Sequence, residues 1–248
     1  MKRLIQMYLY RFLHSVCGWV CFVLSVPVVL APVLLRIIVP NPSAQPFSAA
    51  EALCRAAASG IPVMLCGIGL TVFYHADEKQ GYIKNIMPVL ERKEALIGAR
   101  LAVSSLMMLV MYLLIYLLNV IVSLLLFRGR IGFSAEELTA CAAAYLLSVA
   151  FLSLIDLLTL LTRGTALPIA ADVIGAFGML ALPLLVVNML AERLTPLRNF
   201  DAAEFFASTC LRAVWPGTAG LREVIVSLCY LLLTTSAGAA VLRRRDTR

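Results

Sequence analysis

The run LAVSSLMMLVMYLLIYLLNVIVSLLLF, Leu101 to Phe127, holds 27 residues without a single charge. A helix needs about 20 apolar residues to cross the hydrocarbon core of a bilayer. Comparable runs recur along the chain and predict six crossings. These are roughly Ser15–Val39, Ala52–Tyr74, Leu101–Phe127, Leu138–Leu161, Leu167–Leu190 and Val224–Leu242. The expected fold class is therefore all-α, a polytopic membrane protein with six transmembrane helices in one domain over residues 1–248. Composition agrees: 62% of residues are apolar and only 14% charged, well past the balance of a soluble domain. The net charge of +7 is no nucleic-acid footprint, because the basic residues sit beside apolar spans rather than on one basic face.

Around these spans the chain is punctuated by shorter pieces. Met1 to His14 places Leu4, Ile5, Tyr8, Leu9 and Phe12 on one helical face and Lys2, Arg3, Gln6 and Arg11 on the rest. That pattern predicts an interfacial helix before the first crossing. The N-terminus has the look of a signal peptide, but its apolar stretch runs to Val39, so a retained span is expected. Pro27 and Pro32 are expected to bend that span. A segment over 191–223, with helical periodicity in its middle, is expected outside the membrane. Of seven cysteines, none forms a C-x-x-C pair and nearly all fall in apolar runs. No disulfide framework is expected, and only Cys210 is expected at an aqueous surface.

Basic residues set the orientation of a membrane protein. With both termini inside, the cytoplasmic side collects Lys2, Arg3, Arg11, the basic residues of the 79–100 loop, Arg163, Arg243, Arg244, Arg245 and Arg248, thirteen of the 21 Lys and Arg.

The most charged segment between two spans is HADEKQGYIKNIMPVLERKEALIGAR, residues 75–100. Asp77 is placed to N-cap a short helix, with Gln80 at the capping-box position. Tyr82, Ile83, Ile86 and Met87 then share an apolar face, Glu78, Lys84 and Asn85 lie opposite, and Pro88 ends the element. Such an element is either a peg for a groove in a soluble subunit or a connector resting on lipid headgroups.

The order E-x-x-G, then proline, then a basic pair leading into a long apolar span, resembles the permease subunits of type-2 ABC exporters. Glu78, Gly81, Pro88, Arg92 and Arg100 stand where that family carries acid, glycine, proline and basic residues, with Arg100 where lysine is common. The resemblance extends to the interfacial first helix, the six spans, the outer segment before the last span and the basic tail. It implies a cytoplasmic coupling helix contacting an ATPase subunit through Asp77, Glu78, Gly81, Tyr82, Lys84, Asn85, Pro88 and Arg92. It further implies a second permease subunit, identical or related, in a bacterial cytoplasmic membrane. The implied cargo is amphipathic, peptide-like or lipid-like, with bacteriocin or lantibiotic export or immunity as the setting.

This chain has no phosphate-binding loop of its own, since G-x-x-x-x-G-K-[ST] needs a Gly-Lys pair. Its four lysines follow Met1, Glu78, Ile83 and Arg92. No enzymatic activity or resident cofactor is expected here, and ATP with Mg would belong to the partner. The rival readings are a secondary transporter independent of ATP and a membrane scaffold or sensor subunit.

Three further residues carry charge in or near apolar runs. Asp156 in LSLIDLLTLL lies less than two turns from Arg163, and Asp172 in PIAADVIGAFG lies just past it. Intramembrane carboxylates are costly and often functional; an interfacial pair or cap with Arg163 is the plainer expectation. No chain of such groups suited to a proton relay is visible along any one span. His14 and His75 lack neighbouring ligands, so no metal site is expected.

Overall fold

The computed structural model describes residues 2–38, 48–82, 94–127, 132–162, 164–179, 181–191, 201–217 and 220–245. Among these no strand occurs, and the order is α1 (Lys2–Leu13), α2 (Val16–Ile38), α3 (Ala49–Ala58), α4 (Ile61–Lys79), α5 (Glu94–Val122), α6 (Ala135–Thr162), α7 (Ala166–Ala176), α8 (Ala181–Ala191), α9 (Ala207–Ala213) and α10 (Leu221–Arg245). A π-type turn, Ser123–Phe127, extends α5.

Among the described residues, four helices are long and apolar enough to cross a membrane: Val16–Arg36, Glu94–Leu126, Ala135–Thr162 and Leu221–Arg243. A fifth crossing is available if α3 and α4, bent by 57° at their junction, count as one span. The run expected to be continuous over 167–190 is instead divided. α7 ends at Ala176 with Phe177 as its C-cap, Gly178 adopts φ 70°, and α8 begins at Ala181. At 11 residues each, these helices are about 16 Å long by the α-helical rise, too short to span singly.

α6 is the hub. Its most apolar window is 67% buried, against 22–33% for the other long helices. Ala140, Ala143, Ala144 and Ala150 let neighbours approach closely, as packing between membrane helices favours. Interhelical hydrogen bonds reinforce it: the Tyr112 and Ser148 hydroxyls are 2.8 Å apart, and those of Ser153 and Thr234 are 2.9 Å apart. Tyr145 donates to the Ser105 carbonyl at 3.0 Å.

The outward faces are apolar. On α5, Leu109, Leu113, Leu117 and Ile121 repeat every fourth residue and are all exposed; on α10, Leu221, Ile225, Leu228 and Leu232 follow each other at intervals of three or four and are exposed too. A soluble monomer rarely exposes apolar surface this continuous, whereas a bilayer accepts it. Molecules of this kind form a recognisable class, all-helical proteins built to sit in a membrane.

α1 follows its amphipathic stripe, burying Leu4, Tyr8 and Phe12 at successive turns. α4 stops where Gly81 takes φ 72°, a conformation costly for any residue with a Cβ. Asp77 consequently lies in the last turn of α4 and is not an N-cap, because the apolar face of α4 carries the helix on to Lys79.

Candidate functional site

Where α1, α4, α5 and α6 converge, the protein buries a cluster of charges. Arg100, in the second turn of α5, is the largest fully buried side chain, with 0% exposure. Its Nη1 donates to Asp156 Oδ1 on α6 at 3.2 Å and its Nη2 to Glu78 Oε1 on α4 at 3.3 Å. The guanidinium lies over the Tyr74 ring, 4.6 Å from its centroid, adding a cation–π attraction. Tyr74 in turn donates its hydroxyl to the Arg100 carbonyl at 3.1 Å.

A second ion pair lies nearby. Arg11 of α1 meets Asp77 at 2.7 Å, with the Asp77 side chain 2% exposed. Arg11 also sits 3.7 Å above the Tyr82 ring, and Tyr82 donates its hydroxyl to Met7 Sδ. Tyr8 fills the space between, edge-on to Phe73, Tyr74 and Tyr82. At the same end of the bundle, Arg243 of α10 reaches Glu94 at the start of α5, with Nε 2.8 Å from Oε1.

A small cavity of mixed lining adjoins the cluster, with Thr71, Tyr74, Ser104, Asp156 and Thr159 facing it beside Leu70, Leu152 and Ile155. The Thr71 hydroxyl is buried with no hydrogen-bond partner among the described residues. Gly67 forms another part of the wall. Beside Gly67 lies Asp172 of α7, fully buried, with neither carboxylate oxygen in a hydrogen bond of ordinary geometry among the described residues. A Cβ at Gly67 would come within 2.6 Å of Asp172 Cγ, so glycine leaves the notch that the carboxylate occupies. Gly67→Ala is expected to destabilise the protein by about 1–3 kcal/mol through overpacking. Adding Asp172→Ala should recover most of the loss, read by thermal unfolding in detergent micelles; equal losses with and without Asp172 would refute the notch.

The structure thus redistributes the sequence candidates. Asp77 and Tyr82 turn inward onto α1 and Glu78 onto α5. Gly81 ends α4 with open space where a side chain would stand. Lys84, Asn85, Pro88 and Arg92 lie outside the described residues, as does Arg163. Asp156 pairs with Arg100, and Asp172 stands against α4 with no ionic partner among the described residues.

Arg100 was the residue whose partners the sequence hid, although one signal was available. It falls in register with Ser104, Met107, Met111 and Ile115, the buried stripe of α5. An arginine on the buried face of a membrane-length helix calls for carboxylates on neighbouring helices.

Cys210 departs from expectation. It is buried where α9 packs on α3, α6 and α10, donating to the Glu204 carbonyl at 3.0 Å. Burial pushes its thiol pKa up, and Cys229 is the exposed cysteine among those described. Among the described residues, no group of three His, Cys, Asp or Glu is arranged to hold a metal ion. No protein-family model matches the chain, and no curated protein matches it.

Proposed function

We propose that the chain is the six-span permease subunit of an ATP-driven exporter in a bacterial cytoplasmic membrane, energised by a separate ATPase subunit that presses on the loop between α4 and α5. The observation that supports this most is the anchoring of that loop. Its two roots, Glu78 on α4 and Arg100 on α5, are joined to each other and to Asp156 of α6 by buried ion pairs. A push on the loop is therefore passed to three helices as a unit, which is what a coupling element requires. In this reading Asp77, Glu78 and Tyr82 form the stiff base, while Lys84, Asn85, Pro88 and Arg92 supply the contact surface. Two permease subunits would enclose the path of an amphipathic, peptide-like or lipid-like cargo, with both termini and the loop in the cytoplasm.

The test places a single cysteine at Asn85 and a photocrosslinker at Arg92. The reading expects Asn85→Cys to react with a membrane-impermeant maleimide only from the cytoplasmic side. The crosslinker should capture a subunit carrying a G-K-[ST] phosphate loop, whose ATP turnover falls when loop residues are replaced. Labelling from outside, or capture of lipid alone, would overturn it.

The buried ionisable groups also favour a second reading, transport driven by an ion gradient without a partner. Glu78, Arg100, Asp156 and, behind Gly67, Asp172 come from four helices, and Asp156 and Gly67 line one small cavity. Proton movement into liposomes holding this chain alone, lost in Asp156→Asn, would put that reading first.

A further inference from the structure

At the other end of the bundle two thiols face each other. The Sγ atoms of Cys54 on α3 and Cys141 on α6 lie 3.1 Å apart, across 87 residues of sequence. Their helices are held in register by a second contact, since Ser48, the N-cap of α3, donates to Glu137 Oε1 at 3.0 Å. Glu137 lies one turn before Cys141 on the same helix, and its other carboxylate oxygen accepts from the Ser134 amide at 2.7 Å. Cys54 is buried and Cys141 half-buried, so the pair can be approached from one side. Cys21 and Cys210 donate their thiols to main-chain carbonyls at 3.1 and 3.0 Å, whereas the Cys54 sulfur lies nearer Cys141 than the Glu137 carbonyl, which stands at 3.9 Å. No third ligand stands beside Cys54 and Cys141 among the described residues, which leaves the pair without the donor set of a metal site. A disulfide needs its sulfurs at about 2.0 Å, so a closing movement of about 1 Å suffices.

We propose that Cys54 and Cys141 form a disulfide that pins α3 to α6. The orientation in the proposed function puts this end outside, where disulfides persist, and the inference rests on that orientation. The oxidant is a disulfide-bearing thiol oxidoreductase. The Cys141 thiolate, having lost its proton to solvent, attacks one oxidant sulfur, forming a mixed disulfide and expelling one oxidant thiolate. The Cys54 thiolate then attacks the Cys141 sulfur, closing the intramolecular bond and expelling the second oxidant thiolate. Two electrons pass to the oxidant, and the protons released by the two cysteines end on its thiols.

The test quenches wild-type membranes with acid, denatures them in N-ethylmaleimide and maps the peptides by mass spectrometry. The expected result is a linked Cys54–Cys141 peptide pair, lighter by two hydrogens and released by reductant, with the other cysteines alkylated. Cys141→Ala should leave Cys54 fully alkylated. In reduced membranes, diamide should restore the link in the wild type and not in Cys54→Ala. Failure of diamide to link the pair overturns the geometry. If diamide links the pair but native protein carries both thiols free, the native disulfide is overturned. Labelling of the Asn85→Cys loop then tells which idea failed. With the loop inside, the disulfide alone falls; with the loop outside, the orientation falls too.

Discussion

Replacing Arg100 with methionine is expected to lower stability by about 3–5 kcal/mol, the cost typical of leaving one partner of a buried ion pair uncompensated. Methionine approximates the volume of the arginine stem, so the loss would come from charge rather than from a cavity. Two carboxylates, Glu78 and Asp156, would keep their places with no cation between them, at side-chain exposures of only 18% and 10%. The cation–π contact with Tyr74 would vanish as well. The decisive comparison adds Glu78→Gln and Asp156→Asn to Arg100→Met. Removing every charge in the cluster should recover most of the stability, because a buried ionic group replaced whole by neutral residues is often energetically neutral or better. Unfolding in mixed detergent micelles measures both. A loss below about 1 kcal/mol for Arg100→Met, the level of an exposed pair, would show that water reaches the guanidinium and that the cluster is not a rigid joint. The triple variant also separates stability from coupling. A stable protein that no longer responds to its partner would assign the ion pairs to transmission, as the proposed function requires.

The legible parts of this molecule were those whose signal is local. Leu4, Tyr8 and Phe12 recur at helical spacing, and α1 buries that face. The uncharged run from Leu101 becomes most of α5. What stayed hidden depends on where helices cross. Asp156 has Arg163 seven residues along the chain, but its observed partner, Arg100, is 56 residues away, and a single sequence does not show which helix faces which. A search for ionisable groups along individual spans misses the cluster for the same reason, since each helix contributes only one or two of its members. The expected cap at Asp77 failed differently. The residue pattern D-x-x-Q suits a helix start, yet the apolar face of α4 runs past it, and packing overrode the local preference. Gly81 then stopped the helix two residues beyond Lys79.

The elbow between α3 and α4 falls inside the run expected as one span, Ala52–Tyr74, although Ser59-Gly60 and Pro62 mark a turn and a helix start there, and it supports the second large expectation. Gly60→Val should cost about 2–5 kcal/mol, combining two effects of different origin. The first is conformational: Gly60 has φ 75°, and a left-handed backbone costs a residue with a Cβ about 1–2 kcal/mol. The second is steric. A Cβ there would press on the Ala176 carbonyl oxygen and come within 3.0 Å of its carbonyl carbon. That neighbour is backbone at the end of α7, with the Arg212 guanidinium 3.4 Å from the same oxygen, so it has little freedom to retreat. Overpacking of this kind adds about 1–3 kcal/mol. Gly81→Ala separates the two, since Gly81 has φ 72° but nothing within 4 Å of a built Cβ. It should show the conformational cost alone, while Gly60→Ala should exceed it by the steric share. Gly164→Ala, at a glycine without positive φ and with only an ordinary contact at 3.8 Å, should stay within about 0.5 kcal/mol of wild type. Thermal unfolding of the four variants in one detergent gives the order directly. Equal losses at Gly60→Ala and Gly81→Ala would mean that α7 does not sit against the elbow. Asp172 would then lose its place against Gly67, because the same α4–α7 contact holds both.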